Sequence, residues 1–252
     1  MRGILAMAAT HLSRIRPHQQ SHYATMAAEH QSAAGPEFRT ALQRLGEDNY
    51  QALISYLKGL VWCSFAEDPE FRTRPGYDAQ DSWLPGWFRL LHGSCCVVES
   101  ARAWLQDGPN LLSGPGKDID FTQSPEDQQI CAMLNSILAK NTSITCNTVL
   151  QTLREAFARS ALRHENPPLR NAMNFWIGSL PFDYIQLLRA NEAWALVVLS
   201  HFCILVHRSD TVWYMKGHAT SLMQSIVQHL DSAWLPHIVW PLTEIMDGRL
   251  CY

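Results

Sequence analysis

The side chains best suited to chemistry in this chain sit in apolar surroundings. His201 lies between Ser200 and Phe202 in the run Ala195-Leu-Val-Val-Leu-Ser-His-Phe, with Tyr184 and Tyr214 on or beside other apolar segments. Burial disfavours a charged imidazole unless a carboxylate is near. The nearest acids, Glu192 and Asp210, stand nine residues to either side, about 13.5 Å along a straight helix. Neither can pair with His201 within one uninterrupted helix. Two readings follow: a hydrogen-bonded core histidine, or an acid or base acting in a dry pocket together with a Tyr hydroxyl such as that of Tyr184.

The other reactive types are less organised. His18 and His22 share the i, i+4 spacing of a two-histidine metal site, but Pro17 and the polar Gln19-Gln20-Ser21 read as a turn and a helix start, and there is no HExxH and no third ligand. No metal or cofactor is expected. Cys95 and Cys96 are adjacent and would point apart on a helix; without a flanking base to lower a thiol pKa they read as inert. Arg154, Arg159, Arg163 and Arg170 with Glu155 and Glu165 surround one amphipathic helix and its exit, the pattern of a solvated face. GxSxG, P-loop and GxGxxG patterns are absent.

The elements that must position these groups are helices. Leu53, Leu57, Leu60/Val61 and Phe65 form one apolar stripe, and Phe88, Leu91, Cys95, Val98 and Leu105 another, at spacings of three, four and sums of these. No hairpin pattern occurs. The chain therefore reads as all-α, one helical domain (1–252) of about ten or more helices around an apolar core or cavity. Three segments interrupt it, 67–86, 107–125 and 164–168. Pro36 is expected in the first turn of a helix ending near Leu45 and Gly46, and Ser124 as the N-cap of a helix running from about Pro125 to Lys140.

Composition bounds the function. With 252 residues, 47% hydrophobic, nine Trp and only 17% charged, the chain can bury a large core and still has apolar surface to offer. A formal charge of −3 lacks the basic stripe of a nucleic-acid-binding domain, so direct nucleic-acid contact is not expected. Seven Cys with no CxxC pair read as free thiols in a reducing compartment, and no zinc finger can be built from them. The apolar run after Arg2 is too short for a signal peptide and continues as an amphipathic helix. Asn141-Thr142-Ser143 is then a chance sequon match. The nearly uncharged stretch 193–206 suits a buried helix better than a membrane span.

A family resemblance rests on scattered apolar and aromatic positions. Ile4 to Leu12, Tyr23 to Gln31, Phe38 to Leu45 and Asn49 to Leu53 resemble the opening of the fungal-specific transcription factor domain. Trp83-Leu84-Pro85-Gly86-Trp87 resembles its middle. Phe175-Trp176, Leu180-Pro181, Tyr184, Ala195 to Leu199, His201-Phe202, Trp213-Tyr214, Gly217 and Trp240-Pro241 resemble its end. The similarity is greatest to the regulatory domain of sterol uptake control proteins. That resemblance implies an all-helical, dimerising domain holding a sterol in an apolar cavity. The six-cysteine zinc cluster of the DNA-binding members is not in this sequence, so the chain reads either as an excised effector domain or as a short relative that has lost it.

The resemblance thus implies an intracellular regulatory protein, nuclear or cytoplasmic, that binds a sterol or terpenoid and forms a homodimer. Residues expected at the ligand are Phe175, Trp176, Tyr184, Trp194, His201, Phe202, Trp213 and Tyr214, with Ser200 as a further polar anchor; a lid would come from 107–125. The same aromatics, with Trp234 and Trp240, equally suit a filled core. The alternative function is a cofactor-free cyclase or isomerase of a hydrophobic natural product, using His201 or Tyr184 in the same cavity. A third is an interaction module with a filled core.

Overall fold

The computed structural model describes residues 1–66, 83–101, 104, 121, 124, 126–162 and 168–246, and among them there is no strand. One compact unit holds α1 (Arg2–Ile15), α2 (Gln20–Leu42), α3 (Tyr50–Ala66) and α4 (Gly86–Ser100). The second holds α5 (Asp127–Leu138), α6 (Ile144–Ser160), α7 (Pro168–Gly178), α8 (Phe182–Arg189), α9 (Ala193–Arg208), α10 (His218–His229) and α11 (Val239–Met246), together with residues 83–85. The all-α expectation is met. Most of segments 67–86 and 107–125, Leu105 and residues 163–167 lie outside the described residues.

In the first unit, small side chains let helices approach closely. A Cβ on Gly3 would meet the Tyr56 ring at 2.8 Å, and one on Gly59 would meet Met7 Sδ at 2.9 Å. Thr10 Oγ1 faces Cys63 Sγ at 3.6 Å, and the Arg14 guanidinium donates to the Ala66 carbonyl. These four contacts advance together along α1 and α3, so the two helices run parallel in register. Ala6 and Ala9 are buried on α1 and Ala27 and Ala34 on α2, the small residues that bring these two helices together. Of the expected stripes, Leu53, Leu57, Phe65, Phe88, Leu91 and Cys95 are buried and Leu60, Val61 and Val98 half-buried, and Phe65 stacks on Trp87 at 4.7 Å.

Pro36 corrects the reading of α2. It sits inside the helix, which runs on to Leu42. Its missing N–H frees the carbonyl four residues back, but Pro36 and Ser32 are both exposed, where water can take that carbonyl. Ala27 and Ala34 are buried before the proline and the Phe38 ring lies 4.8 Å from Tyr56 after it, so both parts of the helix are held against their neighbours. Gly46 donates its N–H to Asn49 Oδ1 in the turn before α3.

In the second unit α9 is central. Residues 194–206 are all buried, and α9 packs against α6, α7, α8, α10 and α11. A helix this apolar all round belongs in a core. It is entered through a sharp corner: Asn191 adopts φ 56°, and Glu192 N–H donates to the Leu187 carbonyl at 3.0 Å while Asn191 N–H donates to Leu188 at 3.1 Å. This is the left-handed helix stop in which Asn replaces the usual Gly. No single described helix is long and apolar enough to cross a membrane; α8 and α9 reach the required composition only as a pair bent by 103°.

Capping differs from expectation at α5. The N-cap is Glu126, and Ser124 instead donates its hydroxyl to the Glu126 carboxylate at 3.0 Å. At α6 Ser143 caps, accepting from the Cys146 N–H at 3.2 Å, while Asn141 Oδ1 accepts from the Ser143 N–H.

Candidate functional site

The second unit gathers most of the expected aromatics around α9. Trp176 on α7 stacks on Phe202 with centroids 4.3 Å apart and meets the Tyr184 ring edge-on at 6.1 Å. Tyr184 in turn lies 5.7 Å from Trp194. Trp176, Tyr184, Trp194 and Phe202 thus form one buried cluster whose members fill one another's surroundings. Its polar atoms are satisfied internally: the Tyr184 hydroxyl donates to the Ala195 carbonyl at 2.9 Å, and Trp176 Nε1 donates to Val149 at 3.4 Å. Burial holds the Tyr184 phenol well above its ordinary pKa, so it stays protonated and tied to the backbone.

His201 lies two turns beyond Trp194 on α9, against Trp240 of α11. Its Nδ1 is 2.8 Å from the Val197 carbonyl. A carbonyl only accepts, so Nδ1 carries the proton and Nε2 is left as the acceptor of the neutral ring. Burial pushes this imidazole down to about 4, partly opposed by the bond to Val197 and assisted by His237. Ser200 donates to the same carbonyl at 2.6 Å.

The His201 ring meets Trp240 of α11 edge-on at 5.5 Å, and Trp240 lies 6.0 Å from Phe157 of α6. Trp240 and Trp234 are half-buried, so this side of α9 leads toward the surface. Trp234 carries Lys140 Nζ over its ring at 4.5 Å and lies 5.2 Å from His237, whose Nδ1 is 3.4 Å from Ser136 Oγ. This part of the second unit is therefore an aromatic wall with one buried, neutral histidine, bordered by a half-buried rim of Trp, His and Ser.

Not every expected residue joins it. Phe175 is buried but lies under the Arg159 guanidinium, 4.1 Å from its ring centroid. Trp213 and Tyr214 stand on the turn after α9, edge to face at 5.5 Å, and Trp213 is 43% exposed. They are outside the buried cluster because α9 ends at Arg208 and the chain turns outward before Gly217, whose φ of 84° starts α10. Phe157, Ser136 and His237 had no signal of their own in the sequence; His237 and Trp240 share an i, i+3 spacing that could have linked them.

The arginines also depart from the solvated face. Arg159 is only 3% exposed, bonded to Glu155 at 2.7 Å, and Arg154 makes a paired bond to Asp127 at 2.6 and 2.9 Å. The apolar rings beneath their guanidinium groups explain why the charge is drawn inward. Arg154 holds the Asp127 carboxyl below its ordinary range, and Arg208 bonds Glu126 at 2.7 Å. Arg170 is exposed.

His18 falls in a 3-10 turn, Pro17–Gln19, and His22 on α2; no group of three His, Cys, Asp or Glu able to hold a metal occurs among the described residues. Cys95 is buried and Cys96 exposed, and the Cys95 thiol is pushed up to about 12 by burial and its neighbour. Cys95 is therefore not a poised nucleophile.

The chain is 24% identical over 172 residues to a "Zn(2)-C6 fungal-type transcription factor" of Gibberella zeae, covering 64% of this chain and 35% of the relative. The chain thus matches about a third of that protein's length. No family model matches the chain, and no solved structure matches it.

Proposed function

We propose that this chain is the regulatory region of a fungal zinc-cluster transcription factor, and that its second unit binds a hydrophobic small molecule of the sterol or terpenoid class. The likeness to a Zn(2)-C6 fungal-type factor supports the regulatory role. The observation that carries the ligand reading is His201: a neutral imidazole in an otherwise apolar helix, its Nε2 an acceptor, beside a half-buried Trp240. A flat apolar ligand with one hydroxyl matches such a wall, because a single placed polar group fixes orientation while aromatic faces supply affinity.

The ligand lies at the Trp240 and His201 side and not among Trp176, Tyr184 and Phe202, which already occupy one another. Dimerisation belongs to the same reading: a ligand shifts a monomer–dimer equilibrium only through unequal affinity for the two states.

The test is titration of the purified chain with a sterol and a sesquiterpenoid alcohol, read by tryptophan fluorescence and native mass spectrometry. Saturable one-to-one binding, weakened about tenfold or more in His201→Phe by loss of a buried hydrogen bond, supports the reading. No saturable binding, or equal binding by His201→Phe, refutes it.

A further inference from the structure

Helix α1 turns most of its large aliphatic side chains outward. Its buried positions are small or polar, Ala6, Ala9 and Thr10, and with Gly3 and the half-buried Met7 they meet α2 and α3. At 100° per residue, the outward arc holds Met1, Ile4, Leu5, Ala8 and Ile15, all exposed, together with a half-buried Leu12, with His11 at its edge. Met1 is 93% exposed, Ile4 68%, Leu5 43% and Ile15 58%. A soluble surface helix places such residues against the core and its polar residues in water; here the large aliphatic side chains are the ones in water.

Charge selects what covers this ridge. The first acid in the sequence is Glu29, while Arg2, Arg14 and Arg16 precede it. Arg14 is committed to the Ala66 carbonyl, but Arg2 and Arg16 are exposed at the two ends of the ridge, Arg16 resting on Tyr23. A second copy of α1 laid on this face would set these cations together with no acid to offset them. The face is convex, wholly aliphatic and without the aromatic anchors typical of protein hot spots. An aliphatic ridge on a helix whose own charges are all basic, with the exposed acids Glu29 and Glu37 on the adjoining α2, matches an anionic bilayer surface, where apolar side chains enter the boundary of headgroups and acyl chains and cations meet lipid phosphates.

We infer that α1 lies flat on an anionic lipid surface, Ile4, Leu5, Ala8 and Ile15 entering it and Arg2 and Arg16 contacting the headgroups. This does not depend on the pocket reading in the second unit. The test is co-flotation of the full chain with vesicles of phosphatidylcholine and phosphatidylserine, against vesicles of phosphatidylcholine alone. The expected result is binding to the anionic vesicles only, weakened by salt. Binding should fall about fivefold for each of Arg2→Gln and Arg16→Gln and disappear in the double variant Ile4→Glu/Ile15→Glu.

Circular dichroism of the variants separates lost binding from lost folding; if the double variant unfolds, the two arginine variants and the salt dependence decide. Failure of the wild type to float with anionic vesicles, or equal binding by the double variant in folded form, overturns the inference. So does light scattering that shows a dimer broken by Ile4→Glu/Ile15→Glu in a chain that ignores vesicles, which would give the ridge to a second copy.

Discussion

Replacing His201 with Asn removes a titratable group while keeping a donor within reach of the Val197 carbonyl. Its imidazole titrates at about 4 in the fold against an ordinary 6.5. Because the folded value is the lower one, the unfolded chain binds the extra proton first. Stability is therefore full above pH 6.5 and falls as pH drops from there toward 4, by about 1.4 kcal/mol per pH unit. Between pH 7 and pH 5 the loss assigned to this ring is about 2 kcal/mol, since most of the window has then been crossed.

The chain carries 11 His, so the wild-type slope alone is uninformative. The difference between wild type and His201→Asn isolates one ring. Urea unfolding followed by tryptophan fluorescence at the two pH values gives both slopes. The variant is expected to be less stable at pH 7, with that deficit shrinking by about 2 kcal/mol at pH 5. Parallel curves for the two proteins would refute the claim that His201 is held neutral.

Other outcomes follow from the same geometry. Trp176→Ala removes the centre of the aromatic cluster and should cost about 3–5 kcal/mol in urea unfolding, whereas Trp213→Ala, at an exposed turn, should cost far less. Tyr184→Phe removes only the bond to Ala195 and should cost about 1 kcal/mol. Gly217→Ala, at φ 84°, should lower the melting temperature through a left-handed-backbone penalty of about 1 kcal/mol. Asp127, whose carboxyl Arg154 keeps ionised to lower pH, contributes stability present above the ordinary carboxylate range and lost as pH falls through its own titration. Asp127→Asn should therefore flatten the acid limb of a stability–pH curve.

Much of this architecture was legible from residue spacing. The stretch 193–206 announced a buried helix by having almost no charge, and α9 is buried along that stretch because every face meets another helix. Periodicity also placed the α3 and α4 stripes. What spacing could not supply was which neighbours a helix has. Pro36 read as a helix start because proline is usually excluded from helix interiors, yet exposure on α2 leaves the freed carbonyl to water.

Arg159 read as solvated because sequence does not reveal the Phe175 ring beneath it. Trp213 and Tyr214 entered the expected site by proximity in sequence to α9, and the turn after Arg208 carries them outward. Conversely, Phe157 and His237 reach the His201 region from distant positions, with no local pattern to mark them. On α1 the apolar period was visible but its direction was not. The close approach at Gly3 and the burial of Ala6 and Ala9 show that the face carrying the small residues is the inner one.

The most direct test of the central claim is native mass spectrometry of the purified chain after incubation with a sterol and a terpenoid alcohol, followed by extraction and identification of what is retained. The account predicts one molecule bound per chain, recovered unchanged, and markedly reduced retention in His201→Phe. A chain that retains nothing under conditions where a known sterol-binding protein is saturated would contradict it, as would recovery of a chemically altered product.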